Sequence, residues 1–354
     1  MKKGDLCFVE IENFLNGRVE KIRKIHNALP SLQDAQSQYV LLRSCLNVGR
    51  VNYLLRTVHP MFMEKARLEF NELSRASLET IINRPINDQN WRQATLPVKK
   101  SGLGISKACD ISKIAYISSR LSTKSVSHAI LKKPRADEIW DVNAIHEIFT
   151  SLELSNIQLS DCVSQKGLSD LINKRNYALL YNSMKELDNK RDLARFSASS
   201  DKYSSCFLNV VPNPVFGTRM LSEEFQTTLQ YRLGIPFLPP FQSCGHKFTC
   251  PKCCKPLDVW GDHGLECHFG GGLIRRHDDL RDIIFSAALQ AHFTKHLLSN
   301  PAAKPGDINR YFYPSLVQRQ TCCSGHYYFF NFAAITPQPC IIEDWVCCRA
   351  NKIV

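Results

Sequence analysis

The sequence predicts a mainly α-helical protein. Apolar residues recur at helical intervals through residues 17–82. Strictly alternating apolar and polar runs are scarce before about residue 195. A third observation sets the far part of the chain apart, because residues 250–267 gather Cys250, Cys253, Cys254, His263 and Cys267. With 354 residues the chain can form two domains or one large one, so core size is not limiting.

Val19, Ile22, Ile25 and Leu29 mark the first helical face. Leu29-Pro30-Ser31 breaks it, and Ser31 with Asp34 can cap the next helix, which carries Val40, Leu41, Leu42 and Leu46. Asn47-Val48-Gly49 is a further break. After His59-Pro60, Ala66, Phe70, Leu73, Leu78 and Ile81 fall on the inward face of another amphipathic helix. Arg43, Arg50 and Arg56 interleave with Tyr53. That pattern can follow a phosphate backbone, but scattered arginines on helix surfaces are ordinarily just solvated, and this plainer reading is preferred.

Trp91 precedes a turn at Pro97, and Gly102-Leu103-Gly104-Ile105 leads into a helix expected over Ala108–Leu121. The two glycines suggest a close-packed turn. A phosphate-binding fingerprint needs a wider glycine pattern after a strand, and both are missing. Residues 132–195 are polar and helical without a defensible site. Residues 196–242 read as a linker region: a short strand over Cys206–Val211, a Pro/Gly loop, and a helix with Ser222 at its N-cap and Glu223 and Glu224 in its first turn.

The cysteine cluster has the spacing C-x2-C-x9-H-x3-C, or C-x3-C-x8-H-x3-C if Cys254 replaces Cys253. Thiolate and imidazole are the ligands a structural zinc ion prefers, and four of them close a tetrahedral site. Pro251 and Pro256 stiffen the loop, while Gly261 and Gly264 permit tight bends beside His263. Cys244 and His246 stand just before the cluster as reserve ligands. The competing reading is a cysteine-rich stretch of ordinary core. CxxC followed closely by His and Cys favours the metal site.

Composition points the same way. The chain has 45 Lys+Arg against 33 Asp+Glu, a net charge of +12, and a pI near 9.0. This favours a polyanionic partner, RNA or DNA bound without sequence preference. Fifteen cysteines would suggest disulfides in a small secreted protein. Here Asp5, Glu10 and Glu12 stand where the apolar part of a signal peptide would be. The expected setting is therefore intracellular, nucleus or cytoplasm, with cysteines free or metal-bound. No apolar run reaches the roughly 18 residues of a membrane span, and no motif points to a small-molecule substrate.

Five segments occur in a recognisable order: LLRSCLNVGRVNYLLRTVHP, NWRQATLPVKKSGLGI, LQYRLGIP, the Cys/His cluster, and GGGLIRRHDDLRD. Together they resemble the C-terminal half of a non-LTR retrotransposon reverse transcriptase polyprotein. The resemblance is to the type that ends in a zinc knuckle and a restriction-like endonuclease. It implies a helical thumb and connector region over 1–195, a zinc knuckle over 243–270, and the opening of an incomplete α/β nuclease remnant over 271–310. Arg275, Arg276, His277 and Arg281 become the expected nucleic-acid contacts. In that family the polymerase palm carries its metal-binding carboxylates in a Tyr-x-Asp-Asp turn, and this chain has none. His277-Asp278-Asp279-Leu280 matches a different motif of the family and is no substitute.

The nuclease portion also departs from the pattern. Such enzymes cluster carboxylates, usually with a lysine, to hold Mg²⁺ and activate water. Lys304-Pro305-Gly306-Asp307 resembles the first catalytic element, making Asp307 a vestigial catalytic residue. The continuation expected from the family is absent. Residues 311–354 instead contain Cys322, Cys323, Cys340, Cys347 and Cys348 and show no amphipathic period. Ser315 to Tyr328 can be written in codons that, read one nucleotide later, give Pro-Trp-Ser-Arg-Gly-Lys-Pro-Ala-Ala-Leu-Asp-Ile-Thr, the missing family segment. This points to a frameshifted tail. The alternative is a divergent domain with Cys322, Cys323 and His326 forming a second metal site.

The expected function is accordingly that of a retroelement remnant without catalysis, retaining a structural Zn²⁺ and nonspecific nucleic-acid binding. One alternative is a residual Mg²⁺-dependent endonuclease using Asp307 with Asp278, Asp279 or Asp282. Another is a host-adopted zinc-dependent interaction module.

Overall fold

A computed structural model describes residues 3–131, 150, 164–215, 217–238, 249–269 and 272–290. The chain divides into two compact units, Met1–Ile235 and Pro236–Val354. The described residues are mainly helical.

The helices of the first unit are α1 (Lys3–Ala28), α2 (Ala35–Ser44), α3 (Asn52–Thr57), α4 (Glu64–Ile82), α5 (Asp88–Ala94), α6 (Ala108–Leu131), α7 (Gln165–Glu186), α8 (Lys190–Ala198) and α9 (Ser222–Leu233). α4 organises the packing because it buries apolar side chains along its whole length. Near its start, Ala66 and Phe70 join Leu15, Val19 and Ile22 of α1, Leu55 of α3 and Ala115 of α6 in one core. Near its end, Leu78, Ile81 and Ile82 join Tyr39 and Leu42 of α2 and Phe225, Leu229 and Leu233 of α9 in another. Ile114 and Ile117 of α6 meet Leu168 and Ile172 of α7, and Leu180 and Met184 of α7 meet Phe196 of α8.

The inward face of α4 is as its periodicity predicts, with Phe70, Leu78 and Ile81 buried and Leu73 partly so. On α1 the stripe shifts by one position. Ile25 is exposed and His26 is buried in its place. The spacing 19, 22, 26, 29 follows a 3.6-residue turn more closely than 19, 22, 25, 29. Asp34 caps α2 by accepting the Ser37 N–H at 3.3 Å, whereas Ser31 donates to the Ala28 carbonyl at 2.7 Å. Leu41 faces solvent beside the buried Leu42.

Two expectations for residues 196–242 are corrected. Cys206–Asn209 is a 3₁₀ turn and not the start of a strand. Its apolar residues suit a strand, but a strand also needs a neighbour to receive its backbone. Here Arg43 donates to the Leu208 carbonyl at 2.8 Å and to the Asn209 side chain at 2.9 Å, and Leu208 drops into the core. Ser222 is not the N-cap of α9, which is Leu221. Glu224 reaches back to accept the Leu221 N–H at 3.2 Å. The Ser222 hydroxyl accepts from the Ala35 N–H at 3.1 Å, so it serves the start of α2 instead. This segment therefore supplies α9 to the first unit's core.

A buried polar network joins α5, α8 and α9. Arg232 of α9, 2% exposed, donates to the carbonyls of Gly102 (3.2 Å), Val98 (3.0 Å), Ser199 (3.1 Å) and Ser204 (3.4 Å). Burial lowers its guanidinium to about 10, partly countered by Tyr39. Arg195 of α8 reaches Gln93 through two nitrogens at 3.1 Å each and Asp192 at 3.1 Å, and also donates to the Arg232 carbonyl. Gln93 completes the link by donating to the carbonyls of Ser101 (3.1 Å) and Arg232 (2.8 Å).

Buried His26 is expected to make the first unit acid-sensitive. Its Nδ1 lies 2.7 Å from the Ser77 hydroxyl, its Nε2 is buried without a partner, and its ring meets Phe70 edge-on. Burial holds its pKa below the ordinary 6.5. The unfolded chain therefore binds the proton more readily than the folded one. The stability tied to neutral His26 is complete above about pH 6.5 and declines as the pH falls through its folded pKa. Denaturant midpoints measured from about pH 7 down to pH 5 should fall, and His26→Gln should flatten that fall. The same slope in both proteins would exclude His26 as the cause.

Candidate metal centre

In the second unit the cluster begins on a tight turn. Thr249 and Pro256 form an isolated antiparallel β-bridge. The Cys250 N–H donates to the Lys255 carbonyl at 2.8 Å, and the Cys254 N–H to the Cys250 carbonyl at 2.9 Å. Pro251 and Pro256 suit this reversal because each fixes one backbone angle and withholds one N–H. The turn brings Cys250 and Cys253 to the same side.

The other two candidate ligands come from α10 (Asp262–Glu266), a one-turn helix. His263 lies within it and Cys267 is its C-cap, with the Cys267 N–H donating to the His263 carbonyl at 2.9 Å. An i, i+4 spacing places both on one face. Gly261 precedes α10 at φ +80°, and a Cβ there would lie 2.9 Å from the Phe237 ring. The glycine is thus needed both for backbone geometry and for space.

The four ligand atoms of Cys250, Cys253, His263 and Cys267 lie within 4.8 Å of one another. Cys250 Sγ and Cys267 Sγ are 3.8 Å apart, and Cys253 Sγ is 3.2 Å from His263 Nε2. A tetrahedron with Zn–S bonds of about 2.3 Å has S···S edges of about 3.8 Å. Burial pushes the Cys250 thiol up. The backbone N–H groups of Cys253 and Lys252, with His263 and the Cys253 thiol, outweigh it and bring the group down to about 6. Cys267 goes the other way: a backbone contact at Phe269 lowers its thiol, but burial and the Cys253 and Cys250 thiols raise it on balance. In this cluster it is therefore Cys250 that is drawn toward the thiolate that metal ligation requires. Three sulfurs and one imidazole nitrogen, all neutral or anionic donors, fit Zn²⁺ in kind, number and spacing.

Of the two alternative spacings, the structure brings in Cys253. Cys254 is exposed at φ +57° and stands outside the cluster. Cys244, His246 and Asp307 lie outside the described residues, as does the whole of 311–354 with Cys322, Cys323 and His326.

The proposed nucleic-acid contacts lie on or near the first turns of α11 (Gly272–Gln290). Arg275 is exposed there. Arg276 is turned to the Leu265 carbonyl of α10, so its guanidinium ties the two helices together. Arg281 pairs with Asp278 at 3.1 Å and Asp282 at 2.9 Å, and His277 lies 3.5 Å from Asp278. The arginines of this helix are thus interleaved with Asp278, Asp279 and Asp282, and the strip is not a uniformly basic one.

Asp258 escaped the sequence reading. Its carboxylate accepts the N–H groups of Trp260 (2.9 Å), Asp262 (2.9 Å) and His263 (2.6 Å). The available signal was an Asp a few residues ahead of Gly261-Asp262-His263, since Asp side chains bind backbone N–H groups just downstream in turns.

Compared with known proteins, the chain matches no family model, no curated protein and no solved structure. Among the described residues no helix is long and apolar enough to cross a membrane.

Proposed function

We propose that this chain is a retroelement-derived protein whose second unit is a zinc knuckle, and that it associates with RNA or DNA without sequence preference. The observation that carries the proposal is the convergence of Cys250, Cys253, His263 and Cys267 on one tetrahedral-sized site. Four protein ligands leave no open position for a water or substrate, so the ion's part is structural. The retroelement origin is supported by the order of the five sequence segments, from LLRSCLNVGRVNYLLRTVHP to GGGLIRRHDDLRD. Nucleic-acid association is supported by the net charge of +12, acting through phosphate contacts and counterion release.

In this reading the chain itself supplies no polymerase site. Nucleotidyl transfer needs paired carboxylates on a palm, and the sequence has no Tyr-x-Asp-Asp turn. Of the three α11 carboxylates open to the Mg²⁺-nuclease alternative, Asp278 and Asp282 are engaged by Arg281. No observation favours a host-adopted interaction module over the first reading.

The deciding experiment is metal content. The 354-residue chain purified without added metal should carry about one zinc ion at this site, and a Cys250→Ser/Cys267→Ser double variant should lose it. Equal zinc in the two proteins would refute the knuckle. For nucleic acid, gel retardation of unrelated RNA and DNA sequences should weaken alike as salt rises. Strong preference for one sequence, or salt-independent binding, would refute the nonspecific mode.

A further inference from the structure

We propose that Asp258 is a positioning residue for the metal centre, whose carboxylate sets the turn that presents His263 and Cys267 to the ion. The proposal rests on the zinc reading above and concerns how that site is built.

The four ligands come in two pairs with different supports. Cys250 and Cys253 ride on their own turn, closed by the Thr249–Pro256 bridge and by the Cys250–Lys255 and Cys254–Cys250 backbone hydrogen bonds. None of these contacts involves Asp258. His263 and Cys267 belong to α10, which is only five residues long. A helix that short does not sustain itself, because nucleation costs more than one turn of hydrogen bonds returns.

Asp258 supplies what α10 lacks. The first N–H groups of a helix have no intrahelical acceptor. In α10 those of Asp262 and His263 both go to the Asp258 carboxylate, at 2.9 and 2.6 Å. The Trp260 N–H goes to the same carboxylate at 2.9 Å, so one side chain gathers the loop and the helix start together. A negative charge at this end also suits the helix dipole. The Phe237 ring packs close against Gly261, at the start of the same turn. Once the turn is set, the Cys267 N–H bond to the His263 carbonyl places the fourth ligand relative to the third. Asp258 is not itself in the ligand cluster, and its oxygens are occupied by backbone donors.

The test is Co²⁺ titration of the 354-residue chain, with the Cys250→Ser/Cys267→Ser variant subtracted to remove signal from other cysteines. The wild type should show visible bands of tetrahedral cobalt with thiolate and imidazole ligands. Asp258→Ala should bind cobalt about tenfold or more weakly, in the range lost when groups that orient metal ligands are removed. Its bands should also shift as His263 disengages, a change that general destabilisation would not produce. Asp258→Asn keeps one oxygen for Trp260 and Asp262 but offers His263 an amide donor, so it should fall between the two. Glu266→Gln, which alters an exposed carboxylate on the same helix, should match the wild type. Wild-type affinity and bands in Asp258→Ala would overturn the proposal while leaving the zinc site standing. If Asp258→Ala takes up no cobalt at all, Asp258→Asn decides: intermediate affinity with shifted bands supports the role, and wild-type behaviour overturns it. If the wild type binds no cobalt beyond the double variant, the zinc reading fails and this proposal falls with it.

Discussion

Gly102→Ala is expected to destabilise the first unit by on the order of 3 kcal/mol or more. A Cβ on residue 102 would lie 1.8 Å from the Leu96 carbonyl oxygen and 2.3 Å from its carbon. These are backbone atoms, so no side-chain rotation relieves the overlap. The Leu96 carbonyl is also held in place, since it accepts the Gly104 N–H at 2.9 Å, while the Leu103 N–H donates to Ala94 at 3.0 Å. Moving the turn would in addition pull the Gly102 carbonyl from Arg232 and the Leu103 carbonyl from the Tyr39 hydroxyl, 2.8 Å away. The effect is read as a fall in the denaturant midpoint of the far-ultraviolet helical signal. Gly49→Ala is the reference, because nothing lies within 4 Å of a Cβ there. That change should stay within about 0.5 kcal/mol of the wild type. An unchanged midpoint in Gly102→Ala would show that the turn is not packed as described.

Zinc removal is expected to unfold residues 249–267 while the helices of the first unit persist. Among the described residues of the second unit, only Cys250 and Leu265 are buried apolar side chains. So small a core cannot offset the conformational entropy of the segment. In small zinc modules the metal's binding free energy, about 10–16 kcal/mol in peptides at neutral pH, is in effect the folding free energy. Hydrogen exchange before and after chelation reads both units at once. The amides of Cys250, Cys254, His263 and Cys267, all hydrogen-bonded here, should lose protection, and those of α4 should keep it. Unaltered protection in the cluster after full removal of zinc would show that the ion does not hold the fold.

What the sequence made legible was local. The stripe of α4 is visible because its buried residues Ala66, Phe70, Ser74, Leu78 and Ile81 follow one another at steps of three or four. The ligand set is visible because thiol and imidazole side chains at CxxC…His…Cys spacing have few other uses together. The Gly102-Leu103-Gly104 turn is visible because two glycines so close together seldom serve anything but tight packing. What stayed hidden was set by distant partners. The Ser222 hydroxyl serves Ala35, a residue 187 positions away, and so is not spent on its own helix. Residues 206–209 have the composition of a strand, but no neighbouring strand is described, and Arg43 from α2 takes their carbonyl. Cys253 and Cys254 are adjacent and chemically identical, and only the backbone at Cys254, at φ +57°, turns the second thiol away. Asp258 was hidden for the opposite reason: its partners are close but are backbone groups, so the only sequence mark is an Asp just ahead of a Gly-containing turn, a pattern far less specific than the ligand spacing.

The polar knot around Arg232 limits where this chain can be cut. Arg232, Arg195 and Gln93 come from three helices, and the carbonyls they satisfy lie on segments spread from Val98 to Arg232 itself. A fragment ending at residue 195 would keep α1 to α7 and most of α8 but discard Phe225, Leu229 and Leu233, baring Tyr39, Leu78 and Ile82. It would also strip Gln93 of the carbonyl of residue 232. A fragment ending just past Ile235 retains every one of these contacts. Expression or protease mapping should therefore place a stable boundary near residue 235, where α9 and both its apolar and its polar contacts are complete.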